Sequence, residues 1–352
     1  MIRRLKSKPV LGLDISASSV KVVELAKAGT SYRVVSFAVE PMPANAIPDK
    51  VVADVEAAGE AVRRAYKRSG SHLKNAAIAI GGATVITKTL QIPAGLSEHE
   101  CEEQVGLAAS HYIPFPMEEV AWDFEPVGPV PGEAGMQEVL LVATRRENVE
   151  HRQAVLELAG LKAYVVDCES FALENAFRLL PVSKDAADRG ETVALVDFGS
   201  TITTLSVFHD GHILYTRDQS FGGSQLTQEI MHRYSLSYEE AGRGKRQGGL
   251  PDGYERELLT PFVNNMAQEA GRALQFFYAA TSESNTVDRI VVCGGCAAIP
   301  GVADTIGRHL ETPTELANPI ASLKIAPRAH TRGVEKDAPT LMIACGLALR
   351  SF

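Results

Sequence analysis

Long hydrophobic runs are missing from this sequence of 352 residues, although 45% of its residues are hydrophobic. No stretch approaches the roughly 20 consecutive apolar residues that a membrane-spanning helix needs. Residues 1–9 carry positive charge but are not followed by the apolar region of a signal peptide. We therefore expect a protein that lies in the cytoplasm and does not span a membrane.

Cysteine and excess basic charge are also scarce. The five cysteines form no even set, so no disulfide framework is expected; they are Cys101, Cys168, Cys293, Cys296 and Cys345. The formal net charge of -8 argues against a protein that binds nucleic acid through bulk electrostatics. The length is enough for a substantial core and predicts two domains or more.

Two similar turns occur far apart in the chain, within residues 11–21 and 193–205. Each begins with an apolar run typical of a buried strand, continues with Asp14 or Asp197 and small or hydroxyl residues, and ends in a second strand-like run. In such a turn, backbone N–H groups and hydroxyls can converge on an anionic oxygen, and the Asp can hold a metal ion or its waters. Either turn alone also fits an ordinary polar hairpin. Together they suggest one phosphate site built from two halves.

A third segment, residues 290–304, reads as a buried strand, a Gly-Gly break and a Pro-Gly that opens a helix. Gly294 and Gly295 have no Cβ, so a flat group such as an adenosine could lie close to the backbone. Cys293 and Cys296 have the spacing of a redox or zinc half-site, but a zinc site needs a second pair of ligands. We favour two small apolar thiols beside the glycines.

Hydrophobic periodicity and turn residues predict an alternation of strands and helices in the first half. Predicted strands cover residues 9–15, 19–27, 31–40, 75–81, 84–92, 121–127, 138–144 and 163–168. Predicted helices cover residues 50–68, 97–112, 146–158 and 171–180, with Asp49 as the cap of the first and a capping box at Ser97 for the second.

The second half is predicted to begin near residue 191, after a polar linker at residues 183–190. Gly222 and Gly223 open a helix and should turn its free N–H groups toward a phosphate. Residues 242–249 form a basic, glycine-rich loop that lacks the P-loop pattern. A helix at residues 266–281 places Phe276, Phe277 and Tyr278 in the core, and a final helix at residues 340–351 returns to the first domain.

The three motifs, in this order, resemble the phosphate-1, phosphate-2 and adenosine motifs of the actin-like ATPase superfamily, which includes sugar kinases and the cell-division protein FtsA. A closer resemblance, to the type IV pilus assembly PilM family, rests on residues 12–25, the Tyr-Ile-Pro-Phe-Pro segment at residues 112–116, the Asp197 turn and the Gly-Gly to Pro-Gly segment. It implies an α/β fold of two duplicated actin-like (ribonuclease H-like) domains around a central nucleotide cleft.

The resemblance also implies the domain ranges. The first actin-like domain takes residues 1–83 and 163–185, together with 340–352. An inserted subdomain of FtsA type takes residues 84–162. The second actin-like domain takes residues 186–339 and contains a subdomain at about residues 225–285.

By the same resemblance the cleft binds ATP or ADP with Mg²⁺. The implied nucleotide-binding residues are Asp14, Ser16, Ser18, Ser19, Lys21, Asp197, Gly199, Ser200, Thr201, Thr203, Gly222, Gly223, Lys245, Gly294 and Gly295. Asp14 and Asp197 would hold the metal through waters. Glu169 takes the approximate place of the catalytic carboxylate, but a Glu favoured by a helix N-terminus explains it equally well.

Two departures from the family pattern bear on activity. Ala17 stands where relatives have a hydroxyl near the terminal phosphate, and Gly242 stands where the family has a Glu that contacts the nucleoside. Losing one neutral hydrogen bond costs about 0.5–1.5 kcal/mol, so binding can survive. We expect nucleotide binding with weak ATPase activity or none.

The implied function is that of an ATP-binding scaffold, peripheral to the inner membrane through its partner. A groove between residues 1–83 and 84–162, whose lining residues the sequence does not identify, would receive the cytoplasmic N-terminal peptide of PilN. Through PilN the scaffold would be linked indirectly to PilO. The motor ATPases and the platform protein would be further partners. No nucleic acid is expected as a partner. Two alternatives stay open, an FtsA-like filament-forming ATPase and a sugar-kinase-like phosphotransferase.

Overall fold

The computed structural model describes residues 8–281, 286–326 and 334–352. Segments 1–7, 282–285 and 327–333, which belong to the predicted domain ranges, lie outside the described residues. The strands are β1 (Leu11–Ile15), β2 (Ser19–Ala28), β3 (Ser31–Pro41), β4 (Asn75–Ile80), β5 (Val85–Pro93), β6 (Val120–Pro129), β7 (Met136–Arg145), β8 (Lys162–Cys168), β9 (Val193–Phe198), β10 (Thr203–His209), β11 (His212–Gln219), β12 (Arg289–Cys293), β13 (Thr314–Leu316) and β14 (Lys324–Ile325).

The helices follow the alternation that the sequence predicts. They are α1 (Val55–Ser69), α2 (Glu98–Ala109), α3 (Arg146–Leu158), α4 (Glu169–Phe177), α5 (Pro181–Arg189), α6 (Gly223–Tyr234), α7 (Tyr238–Gln247), α8 (Thr260–Ala280), α9 (Val302–Leu310), α10 (Val334–Asp337) and α11 (Met342–Ala348). In the described parts of the chain, none of these helices has the length and apolar character needed to cross a bilayer.

Two large sheets repeat one topology. The first has the order β14-β3-β2-β1-β4-β8 and the second β11-β10-β9-β12-β13. In each, three antiparallel strands joined by hairpins are followed by parallel strands reached through helices. Helices α1 and α3 cover one face of the first sheet, and α8 covers one face of the second. Helix α4 lies between the sheets, where Phe177 stacks on Phe208 at 4.1 Å between ring centroids.

The inserted segment forms a separate small sheet of order β5-β7-β6, between β4 and α3 in the chain. Helix α2 packs on one face, with Val105 and Leu141 fully buried in a core of its own. The predicted capping box at Ser97 is present, because its hydroxyl accepts from the Glu100 N–H while Glu100 accepts from the Ser97 N–H. The predicted bounds of α3 are also confirmed.

Three local predictions were wrong. Helix α1 begins at Val55 and is capped by Asp54, whereas Asp49 and Lys50 form a turn with positive φ. Residues 183–190 lie mostly in α5, which has Pro181 in its first turn and Gly190 in the left-handed conformation at its end. Residues 242–247 belong to α7, where a capping box at Ser237 outweighs the glycines.

The aromatic cluster of α8 is only partly buried. Phe277 is in the core, but Phe276 and Tyr278 are each 42% exposed. The Arg217 guanidinium lies 3.6 Å from the centroid of the Phe276 ring, which is the geometry of a cation–π contact. Helical period explains the pattern, because three consecutive residues of a helix cannot all face one side.

The chain returns to the first sheet earlier than residue 340. Strand β14 pairs with β3, and Ile320 packs with Val23 and Leu25 of β2. Helix α11 then packs closely on β1 and α4. A Cβ at Gly12 would overlap the Ala344 carbonyl, and a Cβ at Gly346 would overlap the Ala172 carbonyl, so glycine at both positions permits this contact.

This packing predicts a contrast between two helical glycines. Replacing Gly346 by Ala should destabilise the protein by about 3 kcal/mol, because the methyl group meets backbone atoms that cannot move independently. Gly106→Ala in α2 is the control, since its Cβ meets only the Trp122 ring at an ordinary 3.6 Å. That change should gain up to about 1 kcal/mol from helix propensity. Thermal unfolding followed by circular dichroism measures both; equal midpoints for the two variants would contradict the packing described.

Candidate functional site

The two predicted turns face each other across the junction between the sheets. Asp14 is the penultimate residue of β1, and Asp197 is the penultimate residue of β9. Asp197 lies within electrostatic reach of Lys21 and Asp14 in the first domain. The structure therefore brings together the carboxylates that the sequence placed in two halves of one site.

The first half of the site is an ordered polar turn. Lys21 Nζ lies 2.8 Å from Asp14 Oδ2 and 3.0 Å from Ser16 Oγ. Lys21 and Asp14 are both buried. Ser16 Oγ also donates to the Ser19 carbonyl at 2.9 Å. The Ser18 carbonyl accepts the Met42 N–H, which ties the turn to the end of β3. Lys21 is thus a buried cation held by the turn itself.

In the second half, α6 and α7 meet the turn that follows β9. Lys245 Nζ donates to the Gly223 carbonyl and to Thr227 Oγ1, both at 2.7 Å. Burial lowers the pKa of Lys245. A Cβ at Gly222 would lie 2.6 Å from the carbonyl carbon of Ser200, so this turn requires a residue without a side chain.

At the N-terminus of α6, the observed hydrogen bonds differ from those expected for the predicted anion site. The N–H groups of Gly223, Ser224 and Gln225 donate to the carbonyls of residues 199, 200 and 222. These three donors are already satisfied and are not free to bind a phosphate, whereas glycine at 222 and 223 allows close packing. Thr203 also faces inward: its hydroxyl is buried and donates to the Phe221 carbonyl at 2.9 Å.

The glycine pair after β12 serves two purposes. Gly294 has φ +90°, and a Cβ there would overlap Asp197 Oδ1, so glycine is required for the Asp197 carboxylate to occupy its position. Around Gly295, a Cβ would meet no atom within 4 Å, which leaves an open face beside the turn. That face has room for a flat ligand group.

Both thiols beside the glycines are buried. Burial raises the pKa of Cys293 well above its ordinary value, and it raises the pKa of Cys296 to about 11. Cys296 Sγ donates to the Gly199 carbonyl at 3.5 Å. Across the described residues, no three His, Cys, Asp or Glu side chains are grouped to hold a metal ion. A cation here would need water or phosphate oxygens as further ligands.

Sequence reasoning missed one central residue, Lys50, because the predicted helix covered it. Lys50 Nζ lies 2.5 Å from Glu169 Oε2, and Asp218 and Asp197 of the second domain also attract it. Burial lowers the pKa of Lys50, but these carboxylates outweigh that effect and the net pKa is raised. The available signal was Pro48 followed by Asp49, a turn-forming pair.

Glycines 81 and 82 make room for this ion pair. A Cβ at Gly81 would overlap the Glu169 carboxyl group. At Gly82, with φ +66°, a Cβ would lie 3.1 Å from Lys50 Cδ and 3.7 Å from Asp218 Oδ2. The two domains therefore approach closely at this end of the cleft.

The charged form of Asp197 is disfavoured at its position in the site. Burial raises its pKa from 3.8 to about 6, and the attraction of Lys50 and Lys21 only partly offsets this effect. A carboxylate left short of positive charge is suited to accept a cation or the waters around it.

Comparison with known proteins agrees with this architecture. A family model described as "Type IV pilus assembly protein PilM" matches residues 12–352. The solved PilM-PilN type IV pilus biogenesis complex is similar at 26% identity and TM-score 0.80, covering 97% of this chain and 98% of that one.

More distant relatives share the fold. Cell division protein FtsA of Bacillus subtilis is 23% identical over 354 residues, which cover 88% of this chain and 78% of FtsA. The ethanolamine utilization protein EutJ of Carboxydothermus hydrogenoformans is 19% identical with TM-score 0.54, covering 99% of this chain and 93% of that one. The predicted actin-like fold is confirmed.

The two central carboxylates should respond oppositely to neutralisation. The pKa of Asp197 is higher in the folded state than in the unfolded state, so ionisation of Asp197 destabilises the fold as the pH rises from about 4 through about 6. Asp197→Asn should therefore raise the free energy of unfolding by roughly 2 kcal/mol at pH 7.5 and leave it unchanged at pH 4. Asp14→Asn should lose about 3 kcal/mol at pH 7.5, because it leaves the buried Lys21 ammonium without its partner. Thermal midpoints of nucleotide-free protein at both pH values measure this; a lower midpoint for Asp197→Asn at pH 7.5 would contradict the assignment.

Proposed function

The chain belongs to the type IV pilus assembly protein PilM family, and from that premise we propose that it is a nucleotide-binding scaffold of pilus assembly. In this proposal, ATP or ADP with Mg²⁺ binds between the two domains, and the nucleotide-bound form holds the N-terminal cytoplasmic peptide of PilN. The observation that carries the proposal is the convergence of two Asp-containing hairpins and an open glycine pair on one cleft.

The residues present fit a metal–nucleotide complex. Lys21 supplies positive charge for phosphate groups, and Asp14 and Asp197 supply carboxylates for the waters of a cation. Gly295 borders open space suited to the adenosine, with Lys245 nearby on α7. Bound Mg²⁺ would supply neutralisation of phosphate charge. The partly buried Asp197, whose charged form is disfavoured without a cation, would be the side chain that gains most from it.

Slow turnover is part of the proposal. Ala17 brings no hydroxyl to the first turn, and one oxygen of the Glu169 carboxylate accepts a hydrogen bond from the Lys50 ammonium. A residue that orients an attacking water needs a free acceptor aimed at that water. This chain therefore retains nucleotide and hydrolyses it weakly or not at all.

A PilN peptide as partner is supported by the similar PilM-PilN complex. The small sheet β5-β7-β6 stands beside the first sheet as a separate unit with its own core. We propose the groove between residues 8–83 and 84–162 as the peptide site. Closure of the domains on a nucleotide would change the preferred conformation, and so the affinity for the peptide.

The cellular setting follows from this partner. The chain would be cytoplasmic and would reach the inner membrane only through PilN, with PilO as an indirect neighbour. The motor ATPases and the platform protein would be the further components that the scaffold connects. Co-sedimentation with vesicles that carry PilN, compared with vesicles that lack it, tests the peripheral placement.

A filament-forming ATPase is the second candidate, because FtsA is similar over 88% of this chain. Sedimentation with Mg-ATP separates the two candidates. A scaffold stays in the supernatant, whereas a filament former pellets as its concentration rises.

Nucleotide binding predicts a clear ranking of carboxylate variants. Asp14→Ala and Asp197→Ala should each weaken the Mg-ATP Kd at least tenfold, about 1.4 kcal/mol, because each removes a carboxylate from the cation's surroundings. Glu60→Ala is the control, since Glu60 pairs with Arg63 on the exposed face of α1. Isothermal titration calorimetry gives the constants. Wild-type Kd values in both Asp variants would contradict the site.

Coupling between the nucleotide cleft and the peptide groove predicts that Mg-ATP changes the Kd for the PilN peptide by about fivefold or more. Fluorescence anisotropy of a labelled peptide, with and without Mg-ATP, measures the change. The Asp197→Ala protein serves as the control, because it should show little response at a Mg-ATP concentration below its weakened Kd. Equal peptide affinities in the wild-type protein would remove the proposed coupling.

A further inference from the structure

The Lys50–Glu169 ion pair lies in the cleft, close to Asp197 and Asp218. We propose that Lys50 is a positioning residue that holds the Glu169 carboxylate in an ion pair, and so keeps it from orienting a water toward the terminal phosphate of bound ATP. This inference rests on the proposed nucleotide-binding function. It accounts for slow turnover through a contact between two side chains of this protein.

The backbone at Lys50 is held in an unfavourable conformation. Asp49 has φ +46° and ψ +39°, and Lys50 has φ +68°, so two consecutive residues with side chains occupy the left-handed region. Such residues persist only where the surroundings fix them, and they are concentrated at functional sites. A glycine would adopt the same turn without cost, because it has no Cβ. The lysine side chain is therefore present at a position whose geometry favours glycine.

A buried arginine holds the turn in place. Arg152 of α3 is 2% exposed, and its guanidinium donates to the Lys50 carbonyl at 2.8 Å and to the Ile15 carbonyl at 3.4 Å. One side chain thus ties the Lys50 turn to the end of β1, where the first phosphate turn begins. The Val51 N–H closes the turn by donating to the Pro48 carbonyl at 2.8 Å.

The space around the ion pair is shaped for it. Gly81 leaves room for the Glu169 carboxyl group, and Gly82 leaves room for the Lys50 methylenes, as described above. The side chains of Lys50 and Glu169 are only 22% and 13% exposed. Water competes weakly for charges enclosed to this degree, so the contact is stronger than a surface ion pair.

The ion pair changes what Glu169 can do. In hydrolysis a water oxygen bonds to the γ-phosphorus, the bond from that phosphorus to the β–γ bridging oxygen breaks, ADP leaves with the electron pair, and one water proton passes to solvent. A carboxylate that orients this water must accept its hydrogen bond. An ammonium at 2.5 Å occupies one Glu169 oxygen and reduces the negative charge available to the other.

Single-turnover hydrolysis of radiolabelled Mg-ATP tests the inference. Lys50→Gly should hydrolyse bound ATP at least tenfold faster than the wild-type protein, since it frees Glu169 and keeps the turn. Lys50→Arg retains the charge and should match the wild-type rate. The double variant Lys50→Gly, Glu169→Gln should lose the gain.

The outcomes separate the inference from the function on which it rests. Bound ATP with an unchanged or lower rate in Lys50→Gly overturns the inference alone. A gain that persists in the double variant overturns the role of Glu169. Failure of the wild-type protein to bind ATP overturns the proposed function and this inference with it.

A second measurement needs no nucleotide. In nucleotide-free protein, Glu169→Gln should lower the thermal unfolding midpoint by about 2–4 °C in the wild-type background, and by much less when Lys50 is already Gly. Asp218→Asn is the matched control. The Asp218 carboxylate accepts a hydrogen bond from Thr204 Oγ1 at 2.6 Å and contributes only longer-range electrostatic attraction to Lys50. Additive midpoint shifts for Lys50→Gly and Glu169→Gln would overturn the ion pair.

Discussion

Negative charge at the ends of two central strands is the constraint on which this structure depends. Asp14 and Asp197 occupy equivalent places in two repeated sheets, and the folding of the chain directs both toward the same junction. Lys21 neutralises the first within its own turn. In the described part of its own domain the second has no such partner, and Lys50 and Lys21 offset its burial only from across the cleft. The domains are therefore joined at this point by electrostatic attraction as well as by the apolar core around α4.

Much of the fold could be predicted because its signals are local. The strands of both hairpins, the capping box at Ser97 and the bounds of α3 follow from apolar runs, turn residues and side chains that bond within one helical turn. The errors arose where a competing local signal decided the outcome. Asp54 rather than Asp49 caps α1, and the capping box at Ser237 extends a helix through glycines that suggested a loop. The early return of the chain at β14 depends on pairing with a distant strand, which no local pattern contains.

Local sequence signals likewise predict some residues of the candidate site and not others. Asp14, Lys21, Asp197 and Gly294 could be proposed because each lies in one of the three strand-and-turn motifs, and Lys245, which lies within α7, was implied by the family resemblance. Lys50, Arg152 and Asp218 could not, since their importance comes from contacts across more than a hundred residues of chain. The N–H groups at the start of α6 illustrate the limit of motif reasoning. Paired glycines there indicated an anion site, but the N–H groups of Gly223 and Ser224 donate to carbonyls of a turn that precedes them by more than twenty residues.

The position of α11 bears on the order in which the protein assembles during synthesis. This helix covers β1 and α4, so the first sheet lacks one of its covering layers until residues made some 330 positions after β1 have emerged from the ribosome. The second sheet has one face closed by α6, α8 and α9, all within residues 194–310, while its other face packs with α4 and α11. Domains usually mature in the order in which they are translated. Here both sheets are completed by α11, and a nascent chain would expose the apolar face of its N-terminal sheet until that helix has emerged.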